Sequence, residues 1–145
     1  MSLLGNIIWL ICGGFLSGLG YILSGIVLCL TIIGIPFGYQ QIKIGIATFV
    51  PFGTELVAYE EADSPLYLVL DVIWIIFFGW WMALHHLIWT VLLGITIIGI
   101  PFALQHLKLI PLSLLPFGRD LVRVSLYPPD VWADPRYQAP TAGVR

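Results

Sequence analysis

Lys43 and Lys108 stand nearly alone in the apolar parts of this chain. Each is the single charge of its stretch, and each follows a proline, Pro36 or Pro101, by seven residues. A glutamine lies three positions before each lysine, so Gln40 and Lys43 share one helix face, as do Gln105 and Lys108. A proline is well tolerated in the first turn of a helix. A helix opened there points unpaired N–H groups and a partial positive charge at the break before it. The lysine adds a full charge about two turns on. Such an end suits an anion, a phosphate headgroup or a carboxylate, and transporters build sites from broken helices of this kind. Two related ion or lipid-headgroup sites are expected, from Gly34, Pro36, Gln40 and Lys43 and from Gly99, Pro101, Gln105 and Lys108. The competing reading is that each lysine stem simply snorkels to the headgroups.

Other groups have possible chemistry. Glu55 and Asp120 each sit two residues after a Pro-Phe-Gly and are candidates for a cation or an ion pair with Arg119, Arg123 or a lysine; a solvated carboxylate is the plainer alternative. His85 and His86 are adjacent, so their directions differ by about 100°, which is poor for one metal ion. They are pore-lining or pH-sensing candidates, against packing or interhelix hydrogen bonding. Gly14 and Gly18 form G-x-x-x-G in a helix rich in small residues, which favours close helix packing in lipid. Phe78 replaces Gly13 and Trp89 replaces Ser24 in the second helix, so the two long helices are expected to pack small against large, within a chain or between chains. Cys12 and Cys29 are about 25 Å apart on one helix and read as packing residues. No metal-ligand spacing, catalytic constellation or phosphate loop is present.

These residues sit in an unusual background. Of the 145 residues, 59% are hydrophobic and 10% charged, against about 25% charged in an average soluble domain. No Asp, Glu, Lys or Arg occurs from Met1 to Ile42 or from Val72 to Leu107. Runs of about 18 apolar residues already mark membrane spans. The first run has no basic residue before it and is too long for a signal peptide, so it is expected to stay in the membrane.

An offset of 65 organises the chain. It aligns Thr31–Gly53 with Thr96–Gly118 without a gap, with 12 identities in 23 positions, and it pairs Trp9 with Trp74 and Gly14 with Gly79. Each unit reads as a long transmembrane helix, a Gly-Ile-Pro break and a short membrane-embedded or interfacial helix. The long helices are expected at about Leu4–Ile33 and Leu68–Ile98, stopping near Gly34 and Gly99. The expected fold is an all-α membrane protein with a first repeat over 1–57, an acidic linker over 58–65, a second repeat over 66–124 and a Pro-rich, extended tail over 125–145. If the short helices cross the bilayer, there are four crossings and parallel repeats. If they turn back, there are two crossings and inverted repeats. The arginines of the tail favour cytoplasmic termini, and the two-crossing arrangement is the one expected.

The duplicated "IGIPFG…Q..K…PFG", with "WIIFFGWWMALHH" between the copies, resembles the YccF-domain family of small bacterial inner-membrane proteins over roughly residues 3–124. The resemblance implies a multi-pass inner-membrane protein of two such domains and supplies no settled activity. One departure is Ala103, where the pattern has a second glycine. The functional expectation is an oligomeric ion channel or small-ion transport protein using the lysine-bearing broken helices. The alternative is a non-transport module that binds anionic headgroups or a partner membrane protein. No enzymatic activity, cofactor or nucleic-acid partner is expected; membrane lipids, small ions and further copies of the chain are.

Overall fold

The structure, a computed structural model, describes residues 2–123 and 137–138, so the expected tail, apart from Tyr137–Gln138, lies outside the described residues, as does the side chain of Cys12. The first long helix is built from α1 (Ser2–Trp9), a π-helical turn (Leu10–Gly14) and α2 (Phe15–Cys29). The short helix α3 (Ile35–Phe49), strand β1 (Thr54–Tyr59) and a 3₁₀ turn (Glu60–Asp63) follow. The second copy repeats the order: α4 (Pro65–Trp74), a π-helical turn (Ile75–Gly79), α5 (Trp80–Gly94), α6 (Ile100–Leu114) and β2 (Arg119–Arg123), with a short β3 at Tyr137–Gln138.

Each long helix stops earlier than its proline requires. Helix α2 ends at Cys29 and α5 at Gly94, not at Gly34 and Gly99. A threonine explains it. The Thr31 hydroxyl donates to Leu28 O at 2.9 Å and accepts the Gly34 N–H at 3.1 Å; Thr96 does the same with Leu93 O and the Gly99 N–H, at 3.0 and 3.1 Å. The side chain closes the turn by competing with the helical ladder. Gly34 and Gly99 then cap the short helices, with Pro36 and Pro101 in the first turn.

The short helix folds back along the long one. Gly18 faces Gly45 and Gly25 faces Gly38, so α2 and α3 run antiparallel. A Cβ on Gly25 would lie 2.8 Å from Gly38 O, and one on Gly18 2.9 Å from Gly45 O. The small stripe of the first helix therefore serves its own hairpin; the long helices meet through polar side chains instead. Gly14 accommodates an indole: a Cβ there would collide with the Trp9 ring. That indole donates to Thr48 O at 2.7 Å, and Trp74 donates to Ser113 O at the same distance. The Ala103 departure is absorbed locally: its Cβ meets Gly94, where the first copy has Cys29 against Gly38.

The two hairpins pack head to tail. Phe37, in the first turn of α3, lies 5.8 Å from Phe117 and stacks on Trp74 at 6.5 Å. Phe102 repeats this on Phe52 at 5.5 Å and Trp9 at 6.5 Å. The break end of each hairpin thus rests on the open end of the other.

The chain is mostly helical but not all-α. β1 and β2 form an antiparallel pair, with Leu56 opposite Leu121 at its centre and Thr54 opposite Arg123 and Ala58 opposite Arg119 at its ends; β3 joins the other edge of β1. Shifting by 65 maps this ladder onto itself, so a pseudo-twofold passes between the two leucines. The segments expected as loop and linker become strands because each copy supplies the other's partner. Val57 is fully buried while its neighbours are part exposed.

Overpacking a tight helix contact costs roughly 1–3 kcal/mol. Gly25→Val should lower the thermal midpoint in detergent by several degrees. Gly20→Ala should leave it unchanged, since nothing lies within 4 Å of a Cβ there. Circular dichroism on both variants checks the pair, and equal effects would contradict the hairpin contact.

Candidate functional site

The lysines act between repeats. Lys43 Nζ donates to Pro116 O and Arg119 O, both at 2.7 Å. Lys108 Nζ donates to Pro51 O, to Thr54 O at 2.9 Å and to the Thr54 hydroxyl oxygen at 3.3 Å. Pro116 and Arg119 are Pro51 and Thr54 shifted by 65, so the two clamps are copies of one another. Among the described residues no hydrogen bond joins either lysine to Gln40 or Gln105. The loops they hold are shaped by Gly53 and Gly118, whose φ of 81° and 73° suit glycine. Each loop has a second anchor. Asn6 exchanges two bonds with Phe52, Nδ2 to O at 3.1 Å and Oδ1 from N–H at 3.0 Å. Asp71, the matching residue, accepts the Phe117 N–H at 3.1 Å and pairs with Arg119 at 3.5 Å.

A second polar group lies between the hairpins. His86 Nδ1 and His106 Nδ1 are 2.9 Å apart; His86 Nε2 and the Tyr21 hydroxyl are 3.4 Å apart; His85 Nε2 and the Ser17 hydroxyl are 3.3 Å apart. The adjacent histidines therefore bond across the interhelix contact, each to its own partner. Tyr21 and His86 occupy equivalent positions of the two copies, so they too lie at the pseudo-twofold. His106 sits 4.5 Å from the Trp9 ring and stacks on Trp89 at 6.1 Å. Gln41 Nε2 donates to the Ser24 hydroxyl at 2.6 Å. The side-chain oxygens of Gln40, Gln41 and Gln105 are buried and find no donor among the described residues.

The remaining candidates are dispersed. Glu55 and Asp120 lie on β1 and β2. Asp120 lines a cavity of about 430 Å³ with Lys43, Tyr39 and Thr54. Burial pushes its carboxyl above the usual carboxylate range, while Lys43 and the bond from its neighbour's Leu121 N–H pull the other way. Asn6, Asp71, Tyr21 and His106 carry no site reading in the sequence, and Arg119 enters there only as an ion-pair partner for Glu55 or Asp120. The offset signals the first pair, since it places Asn6 on Asp71. It places Gln41 on His106, an unmatched pair that identity alone passes over.

The family model described as the inner membrane component domain matches the chain twice, at residues 4–54 and 69–119. The chain belongs to the YccF family. It is 34% identical over 127 residues to the inner membrane protein YccF of Escherichia coli (strain K12) and, equally, to that of Shigella flexneri, covering 82% of this chain and 86% of each relative. No solved structure matches. The two YccF domains end at Thr54 and Arg119, residues whose carbonyls accept the lysine bonds. Each YccF domain therefore carries one lysine and one acceptor loop, and the two domains exchange them. The family places the protein in the inner membrane.

Removing one lysine leaves buried carbonyls without a donor, at a cost of roughly 1–3 kcal/mol. Lys43→Met and Lys108→Met should each lower the thermal midpoint by a similar amount. Differential scanning fluorimetry in detergent checks this, and a variant as stable as the parent would contradict the clamp.

Proposed function

We propose that this protein is a non-enzymatic, multi-pass membrane component that handles small ions as an oligomer. The inverted polarity of the hairpins carries the reading. Gln40, Gln41, His86 and His106 are buried, whereas Ile32, Ile33, Ile97 and Ile98 are more than four-fifths exposed. Polar side chains kept inside an apolar exterior are expensive in a membrane and are retained for function. The helix Pro65–Gly94, with 30 residues, is long and apolar enough to cross a bilayer. At about 45 Å it exceeds the hydrocarbon thickness and would tilt. The short helices, at about 22 Å, would lie embedded beside the long ones, with the charged sheet toward water.

The interior is rich in acceptors. Three glutamine oxygens lack donors, while the lysine ammoniums are already committed to carbonyls. A proton or a small cation answers that imbalance better than an anion. The headgroup-binding alternative is less well served, because Asp120 shares the cavity beside Lys43. Two long and two short helices can hardly enclose a path alone, so the route would form between copies, with part-exposed His85 at its wall and the buried Tyr21–His86–His106 chain behind it.

Purified protein in liposomes should dissipate a pH or potassium gradient faster than empty vesicles, and His86→Leu should slow that flux at least fivefold at equal incorporation. A monomer in mild detergent that gives no flux with either ion would overturn the reading in favour of a headgroup or partner module.

A further inference from the structure

A cavity of about 250 Å³ opens between the start of the first hairpin and the break end of the second. Its walls include Trp9, Ser17, Trp89, Phe102 and His106. We propose that it is a binding site for a quinone-class ligand: a flat apolar ring with carbonyl or hydroxyl groups at its edge, arriving from the bilayer.

Internal duplication offers a comparison for this space. At the equivalent place in the other half, Met82 stands for Ser17. Met82 is buried and packs with Phe37 and Trp74, the counterparts of Phe102 and Trp9. The same scaffold is thus filled by a thioether on one side and left open by a hydroxyl on the other. An open apolar space of this size loses packing contacts that a longer side chain would restore.

The lining selects the ligand. It contains no Lys, Arg, Asp or Glu, so it offers nothing to a phosphate headgroup or an ammonium. It offers ring faces, since Trp9 and Trp89 both pack on His106, and flat rings favour offset or edge contacts with such faces. Its polar groups are few and directional. His106 is 94% buried by its 6% exposure, its Nδ1 is bonded to His86, and its Nε2 has no hydrogen bond among the described residues. That nitrogen can donate to a carbonyl or accept from a hydroxyl. A mostly apolar cavity with a few fixed polar groups is the usual form of a small-molecule site. Exposed Ile8 and Ile98 at the wall place the entrance on the apolar exterior. The inference is independent of ion handling: a protein that moved no ions would still bind the ring.

The test uses the full chain in lipid nanodiscs, titrated with a short-tailed benzoquinone and followed by saturable quenching of tryptophan fluorescence. Ser17→Met, which installs the residue of the filled half, should weaken binding at least tenfold while keeping or raising the thermal midpoint. His106→Gln, which installs the residue of position 41, should weaken it several-fold and serves if Ser17→Met fails to fold. Parental affinity in both variants, no saturable binding by the parent chain, or equal binding of the saturated tail without its ring would overturn the proposal.

Discussion

An ammonium inside an apolar protein must find acceptors, and the carbonyls of a buried tight loop must find donors. This chain answers both needs with one exchange. The carbonyls that follow α3 are held by Lys108, and those that follow α6 by Lys43. Neither repeat contains a complete clamp of its own. The exchange fixes the head-to-tail arrangement, because each lysine must lie level with the other hairpin's loop. The stacking of Phe37 on Trp74 and of Phe102 on Trp9 then follows, as does the pairing of β1 with β2. A sequence of two tandem domains is in this sense one folding unit. The short strands, five and six residues, have no partner until both hairpins are in place.

The same constraint sets the polarity of the molecule. Lipid gives no hydrogen bonds to side chains, so polar groups turn inward, where Asn6, Asp71, His86 and Ser113 are buried. Apolar residues turn outward in compensation. The exposed isoleucines of the two break turns would be an aggregation hazard in water and are ordinary surface in a bilayer.

What the sequence made legible follows from what kind of signal each feature leaves. The offset of 65, the Pro36 and Pro101 breaks and the membrane character are written in residue types and can be read directly. The lysines were conspicuous as lone charges, but their partners are backbone carbonyls, which have no sequence signature. The strands were hidden for a related reason. Thr54–Tyr59 and Arg119–Arg123 are short, and their pairing joins residues more than sixty apart. The helix ends were misplaced because proline drew attention away from Thr31 and Thr96, whose hydroxyls stop the helices first. His106 escaped notice because Gln105 beside it was the matched residue.

That last omission points to how the duplicated design divides its work. Matched positions build the frame: Trp9 and Trp74 under their glycines, Thr31 and Thr96 at the turns, the lysines and the Pro-Phe-Gly loops. Their roles repeat from one copy to the other. Unmatched positions include polar ones: Tyr21 against His86, Gln41 against His106, Ser17 against Met82, and Asn6 against Asp71, which still anchor equivalent loops. A symmetric frame places equivalent residues face to face, as it does Tyr21 and His86. Divergence there lets one half supply a phenol and the other an imidazole, whose second ring nitrogen reaches His106 and extends the chain of bonds. Chemistry in such a protein is therefore to be sought where the copies disagree, and stability where they agree.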